Sequence, residues 1–254
     1  MRILRIEHAG DPYYAEFVDD ATVRLLTAAP WLGGTQTDRL VPLGRARRLA
    51  PVEPGKILCV GRNYAAHAKE LGNEVPKTPL LFLKANTTLC ADGDTIELPP
   101  QSERVEHEAE LGVVIGSRLK NGTPEQAMAA IYGYTCVNDV TARDIQRADG
   151  QFTRGKSYHT FCPCGPWIET DLDPRQVSVV ARVNGDTRQD GNTRDMVFGV
   201  AELIAFMSQQ MTLEPGDLIP TGTPEGVGLL ADGDDVEVEV AGVGTLRNPV
   251  KAAT

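Results

Sequence analysis

Only three stretches of this 254-residue chain carry a helical pattern, and they are scattered among many short strand-like runs. A parallel sheet wound from strand-helix-strand units needs regular alternation, so a mixed α+β fold, predominantly β, is expected. The first helical stretch is Tyr64–Leu71, with Asn63 as its cap and Gly72 as its stop. The second opens at Thr123-Pro124, where Gln126 completes a capping box, and Gly133 is expected to end it. In the third, Phe198–Met211, Val200, Leu203, Ile204 and Met207 fall at helical spacing. Strand signals fill the intervals at Glu108–Ile115, Tyr134–Asn138, Val177–Asn184 and Asp235–Val240. Residues 1–40 hold three further runs, Arg2–Glu7, Ala15–Val18 and Ala21–Leu26, which read as a small N-terminal β appendage. Pro42, Gly44, Pro51, Pro54 and Gly55 break any periodicity from Leu40 to Gly55, so this segment is expected to be a linker. The division is therefore a 1–50 β domain with its linker and a 51–254 main domain.

Charge narrows the function. The formal net charge is −10, and the acidic excess lies beyond residue 50, which argues against nucleic acid as a partner. The longest apolar stretch, around Gly199–Met207, is far short of the ~20 residues a helical membrane span requires and contains Glu202. Met1–His8 has no apolar signal-peptide core, and the five cysteines form no CxxC spacing. A cytoplasmic, reduced protein without disulfides or a zinc ribbon is expected.

Several fingerprints fail. His107-Glu108-Ala109-Glu110-Leu111 begins like a zincin helix but has leucine where the second histidine belongs. Gly226-Val227-Gly228 lacks the third glycine of a dinucleotide loop, and neither a phosphate-binding Gly-Lys-Ser/Thr run nor a GxSxG elbow occurs.

What remains is a carboxylate pattern. Along Glu108–Ile115 the apolar residues Ala109, Leu111, Val113 and Ile115 share one parity, so Glu108 and Glu110 project from the other face. Same-face carboxylates repel, which raises a pKa or calls for a cation; a solvated strand face would be the plainer explanation. A third acid, Asp139, ends an apolar strand, where an unpaired carboxylate is costly. Three oxygen donors suit Mg²⁺ or Mn²⁺, with Ca²⁺ as a stand-in, and leave room for a chelating 2-oxo acid whose enolate the ion would stabilise.

Other polar residues are candidates for the rest of such a site. His67 and Glu70 lie three apart on one helical face, a spacing that fits either a proton-transfer pair or a surface histidine beside an acid. Lys156 follows Gly155 and is a candidate for a substrate carboxylate or enolate, although an isolated lysine is more often solvated; Arg62, Lys84 and Arg143 are further basic candidates, each more readily explained by a structural salt bridge. The loop Thr221–Gly228 has little side-chain bulk, so its N–H groups and hydroxyls can approach an anion; a tight turn explains it nearly as well.

Taken in order, Gly61–His67, Phe82-Leu83-Lys84, His107–Leu111, Asn138–Asp144, Lys156, Pro215-Gly216-Asp217 and Thr221–Pro224 resemble the fumarylacetoacetate hydrolase family over roughly residues 56–250. The resemblance implies a β-roll or β-sandwich with a few short helices, usually as a homodimer, with residues 51–254 as the catalytic domain. It implies a divalent metal on Glu108, Glu110 and Asp139, His67 and Glu70 as the base pair, and Lys156 as an active-site lysine. Thr223 and Gly222, with Arg62 and Arg143, would bind the substrate, a small anionic 2-oxo acid. The chain looks most similar to small bacterial 2-hydroxyhepta-2,4-diene-1,7-dioate isomerases of aromatic catabolism. Isomerisation or decarboxylation through an enolate is the first expectation. Cleavage of an acylpyruvate by activated water, and oxaloacetate decarboxylation or tautomerisation, are the alternatives.

Overall fold

The computed structural model describes residues 1–253. The chain opens with five strands: β1 (Arg2–His8), β2 (Asp11–Asp19), β3 (Thr22–Leu26), β4 (Gln36–Pro42) and β5 (Arg47–Leu49). Strand β6 (Ile57–Gly61), helix α1 (Ala65–Glu70), and strands β7 (Leu80–Lys84), β8 (Leu89–Cys90), β9 (Ile96–Leu98), β10 (Val105–His107) and β11 (Ala109–Ile115) follow. Next come α2 (Pro124–Ala130), β12 (Ile131–Asn138), β13 (Thr141–Ala142), α3 (Arg143–Asp149), α4 (Phe152–Lys156) and β14 (Cys162–Glu169). The last third is β15 (Ser178–Val183), β16 (Asp186–Asn192), α5 (Val200–Gln210), β17 (Leu218–Pro220), β18 (Gly228–Leu229), β19 (Asp235–Val240) and β20 (Gly244–Ala252). The architecture is predominantly β, as expected, with five short α-helices, three at the expected places and two, α3 and α4, that no sequence pattern marked.

The principal sheet runs β4-β3-β2-β1-β14-β12-β11-β17-β6-β7, and a second runs β16-β15-β19-β20-β9. Alternate residues of the central strands enter different apolar clusters. Leu58 and Val60, Leu111 and Val113, and Tyr134 and Cys136 pack with α5, β15 and β19. Ile57, Cys59, Val114 and Val137 pack on the opposite face with Ile3, Phe82 and Cys162. Period-two alternation thus buries both faces. Each such side chain contributes about 1.5–3 kcal/mol on burial. An exposed ion pair contributes at most about 1 kcal/mol, so apolar packing holds the sheets together.

Three local expectations are corrected. Asn63 does not cap α1; Tyr64 occupies that position, and Asn63 is buried, its Nδ2 donating to the carbonyls of Phe198 (3.1 Å) and Thr221 (2.8 Å) while its Oδ1 accepts from the Phe198 N–H (2.9 Å). Asn63 thereby ties the start of α1 to two distant segments. Helix α2 has the expected capping box but ends before Ile131, and Gly133 lies within β12, where a Cβ would stand 2.6 Å from Ile168 Cγ2. Its missing side chain serves close strand packing. The Leu40–Gly55 segment contains the end of β4, a short 3-10 turn and β5, which pairs with β1. The N-terminal strands continue the principal sheet, since Ile3 of β1 pairs with Ile168 of β14.

Candidate functional site

The site grows from the β11–β12 ladder. Antiparallel register sets Ala109 opposite Asn138, so the residues just beyond, Glu108 and Asp139, meet at the end of the ladder. Two bonds lock that end: the Glu108 N–H donates to Asn138 Oδ1 and the Asp139 N–H to the Glu108 carbonyl, both at 2.9 Å. Glu110 shares parity with Gly112 and Val114 and projects to the same side of the sheet as the second cluster. That face is covered, not solvated, so all three carboxylates are buried. One oxygen from each lies within 4.8 Å of the others.

Basic side chains surround the group. Lys84 Nζ donates to Asp139 Oδ1 at 2.5 Å, and Lys156 Nζ donates at 2.6 Å to both Glu108 Oε2 and Asp139 Oδ2. Arg143 binds Glu108 through Nη2, Glu106 through Nε (2.7 Å) and Gln146 through Nη1 (2.6 Å). Burial alone would raise the Glu108 carboxyl; Lys156 and Arg143 outweigh it and hold the group well below the usual carboxylate range. Burial likewise opposes the charge of Lys156, but Asp139 and Glu108 overcome it and the ammonium is held above its ordinary value.

Glu110 is the exception. Its Oε2 accepts the Gly222 N–H at 2.8 Å, and among the described residues no cationic side chain is bonded to it. Burial, then the Asp139 and Glu108 carboxylates, push its pKa well above the usual range. A buried carboxyl in this state requires a proton or a cation, and the donor set here is oxygen only. Glu108, Glu110 and Asp139 therefore fit a hard divalent ion.

A cavity of about 280 Å³ opens onto these groups, lined by Glu108, Glu110, Arg143, Lys156, His67, Arg62 and Thr223 together with Phe82 and Phe152. Helix α1 brings His67 into it, with Nδ1 3.3 Å from Glu70 Oε2, while Glu70 Oε1 accepts the Gly226 N–H at 3.0 Å. An ionised carboxylate only accepts, so Glu70 sets the proton on Nδ1.

The structure revises several expected roles. Lys156 lines the cavity, but its ammonium bridges two carboxylates instead of standing free for substrate. Gly222 turns its N–H to Glu110 rather than to an anion; its φ of +100° and the 2.6 Å a Cβ would have to Asn63 Cβ require glycine there. Thr223 Oγ1 donates to the Ala109 carbonyl at 2.8 Å and accepts from Gln189 Nε2 at 2.7 Å, so its hydroxyl is already engaged. Arg143 is taken up by Glu106 and Glu108 and Lys84 by Asp139, in agreement with the salt-bridge alternative for both residues. Arg62, with φ +57°, lines the cavity and forms no ion pair or side-chain hydrogen bond among the described residues; the same holds for Arg147 of α3. Arg147 escaped the sequence reading, as did Gln146 and Phe82. The Arg143-to-Gln146 spacing of three on a helix was a usable signal, and Phe82 sat in a noted motif. The five cysteines are free and buried, and burial pushes the Cys136 and Cys162 thiols up to about 12, which leaves them poor nucleophiles. No helix among the described residues is long and apolar enough to cross a membrane.

Comparison with known proteins is consistent with this arrangement. Residues 56–251 match the family described as Fumarylacetoacetate (FAA) hydrolase C-terminal, and residues 1–51 match Rv2993c-like, N-terminal. The solved structure of 5-carboxymethyl-2-hydroxymuconate delta-isomerase from Mycobacterium smegmatis is 42% identical, covers 100% of both chains and superposes with a TM-score of 0.94. That of 2-hydroxyhepta-2,4-diene-1,7-dioate isomerase from Mycobacterium marinum is 41% identical, covers 99% of this chain and 98% of that one, and has a TM-score of 0.92. Oxaloacetate tautomerase Fahd2a, mitochondrial, of Rattus norvegicus is 42% identical over 223 residues, 83% of this chain and 71% of the rat protein.

Proposed function

The chain belongs to the fumarylacetoacetate hydrolase family, and from that premise we propose that it is a divalent-metal-dependent enzyme that moves a proton within a small 2-oxo or 2-hydroxydienoic dicarboxylic acid, converting enol to keto form. One observation carries the reading. Glu110 is buried beside Glu108 and Asp139 without a bonded cation, in the wall of a cavity that His67 and the unpaired Arg62 also line. Isomerisation is favoured over C–C hydrolysis because the similar proteins named as a delta-isomerase, a dienedioate isomerase and a tautomerase, at 41–42% identity, are nearer to this chain than one named as a hydrolase, at 35%.

Glu108, Glu110 and Asp139 would hold a Mg²⁺ or Mn²⁺ ion, which would supply Lewis-acid polarisation of the substrate's 2-oxo or enol group. Lys84, Lys156 and Arg143 fix two of those carboxylates in place. Arg62 and Arg147 take the substrate's far carboxylate, a reading supported by their lack of protein partners. His67, with its Nδ1 proton held by Glu70, accepts the enol proton at Nε2 and returns it to carbon. One proton changes place, beside an apolar wall formed by Phe82 and Phe152, whose rings meet edge to face.

The test is product analysis with purified protein and Mg²⁺ on 2-hydroxyhepta-2,4-diene-1,7-dioate, enol-oxaloacetate and an acylpyruvate. Metal-dependent loss of the dienol absorbance without pyruvate or CO₂ is expected. Pyruvate release would make the protein a C–C hydrolase in which the same pair activates water, and CO₂ release would make it a decarboxylase. His67→Asn should cut turnover by about a hundredfold or more while Mg²⁺ binding by calorimetry persists. Unaltered turnover in that variant would sink the role given to His67.

A further inference from the structure

We propose that Gln189, on β16 of the second sheet, is a positioning residue that sets both halves of the site through one segment, Thr221–Gly226. The inference rests on the roles given above to Glu110 and to the His67–Glu70 pair.

The segment joins the two halves. Its Gly222 N–H donates to Glu110 Oε2 at 2.8 Å, and its Gly226 N–H donates to Glu70 Oε1 at 3.0 Å. Between them Thr223 lines the cavity. A shift of this strap by a few tenths of an ångström moves the hydrogen-bond partner of a candidate metal ligand and of the residue that orients the candidate base.

Gln189 holds the strap at its middle. It is 1% exposed and uses both ends of its amide twice. Its Oε1 accepts the Ala109 N–H at 2.9 Å and faces His107 Nδ1 at 3.1 Å. Its Nε2 donates to Thr223 Oγ1 at 2.7 Å and to the Pro224 carbonyl at 2.8 Å. The Ala109 N–H can only donate and the Pro224 carbonyl can only accept, so the amide orientation is determined and His107 Nδ1 must be the donor to Gln189. Thr223 closes the ring by donating to the Ala109 carbonyl at 2.8 Å. Ala109 is the residue between Glu108 and Glu110, so the amide of Gln189 spans the carboxylate strand on one side and the strap on the other.

The backbones are packed to match. A Cβ at Gly191 would lie 2.4 Å from Pro224 Cβ, and one at Gly226 would lie 2.0 Å from the Arg188 carbonyl oxygen. Strand β16 and the strap therefore touch closely on either side of Gln189, which leaves the strap little room to settle elsewhere while the four bonds are made.

Gln189→Glu is the informative variant. It keeps the acceptor for Ala109 and His107 but loses both donors to the strap and sets oxygen against the Pro224 carbonyl. In full-length protein that circular dichroism shows to be folded, Mn²⁺ affinity by calorimetry should fall about tenfold and kcat at saturating Mn²⁺ should fall by a similar factor. A folded Gln189→Glu with Mn²⁺ affinity and kcat within twofold of the parent overturns the proposal, whatever its melting temperature. If Gln189→Glu does not fold, Thr223→Val removes the strap's hydroxyl while leaving the bonds of Gln189 to β11 intact. Mn²⁺ affinity is then the readout: a tenfold loss supports the proposal and parental affinity overturns it. Glu110→Gln is measured alongside. Loss of Mn²⁺ binding there with parental values in Gln189→Glu overturns the positioning role alone, and unchanged Mn²⁺ binding in Glu110→Gln overturns the metal reading as well.

Discussion

Two regions of this molecule use the same pairing chemistry to different ends. On the solvent side of the second sheet, Arg182 pairs with Glu239 at 2.7 Å and Arg247 with Asp235 at 2.5 Å, across strands whose Val236, Val238 and Val240 point into the core. At the end of the β11–β12 ladder, Arg143, Lys84 and Lys156 pair with Glu106, Glu108 and Asp139 at similar distances, but every one of these side chains is buried. The exposed ladder trades water for a partner at little gain. The buried cluster gives up the water altogether, so each charge depends on its neighbours, and any group left without one is poised to bind something.

Glu110 is that group, and changing it tests the contrast most sharply. Glu110→Gln should abolish the calorimetric signal of Mg²⁺ binding while the metal-free protein melts no lower than the parent, because a carboxyl held protonated by burial is replaced by a neutral amide. A marked loss of metal-free stability would mean that Glu110 is paired in a way the contrast denies.

Next in size is Arg143→Met. It takes one of two cationic partners from each buried carboxylate, leaving Glu106 with Arg104 and Glu108 with Lys156, and should cost roughly 3 kcal/mol in urea denaturation. A cost below about 1 kcal/mol would place the buried cluster in the same class as the surface ladder.

The third effect is pH-dependent. Because the folded-state pKa of Glu110 is raised above its unfolded value, the metal-free folded protein retains a proton there that the unfolded chain releases from the ordinary carboxylate range upward. Its contribution to metal-free stability is therefore full at low pH and lost as pH rises toward the raised value. Metal binding must expel that proton, so the melting-temperature increase caused by a fixed Mg²⁺ concentration should grow with pH over the same window. An increase that is flat with pH would remove Glu110 from the proton count.

The smallest effect belongs to the surface. Arg247→Ala removes a side chain bonded to Asp235 and near Glu237, both partly solvated, and its melting midpoint should coincide with the parent within the error of a calorimetric scan. A clear drop would show that the exposed ladder acts as a network.

Parts of this arrangement were legible in residue order. The parity of Ala109, Leu111, Val113 and Ile115 against Glu108 and Glu110 is a local property of any extended strand, and the capping box at Thr123 is set within four residues. His67 and Glu70 are neighbours on one helical turn whatever surrounds them. Those features depend on short-range geometry, and the sequence by itself determined them, along with the predominance of strands.

The remainder was decided by contacts between distant parts of the chain. Asp139 meets Lys84 across 55 positions, Glu108 meets Arg143 across 35, and Glu110 meets Gly222 across 112. No local pattern announces that the glutamate face of β11 is buried, that Gly222 serves a carboxylate and not a substrate anion, or that Gln189 reaches Ala109 from 80 positions away. Burial is a property of what packs on top, and it alone turns three acids in and beside two strands from an ordinary solvated surface into a cluster in which Glu110 must hold a proton or a cation.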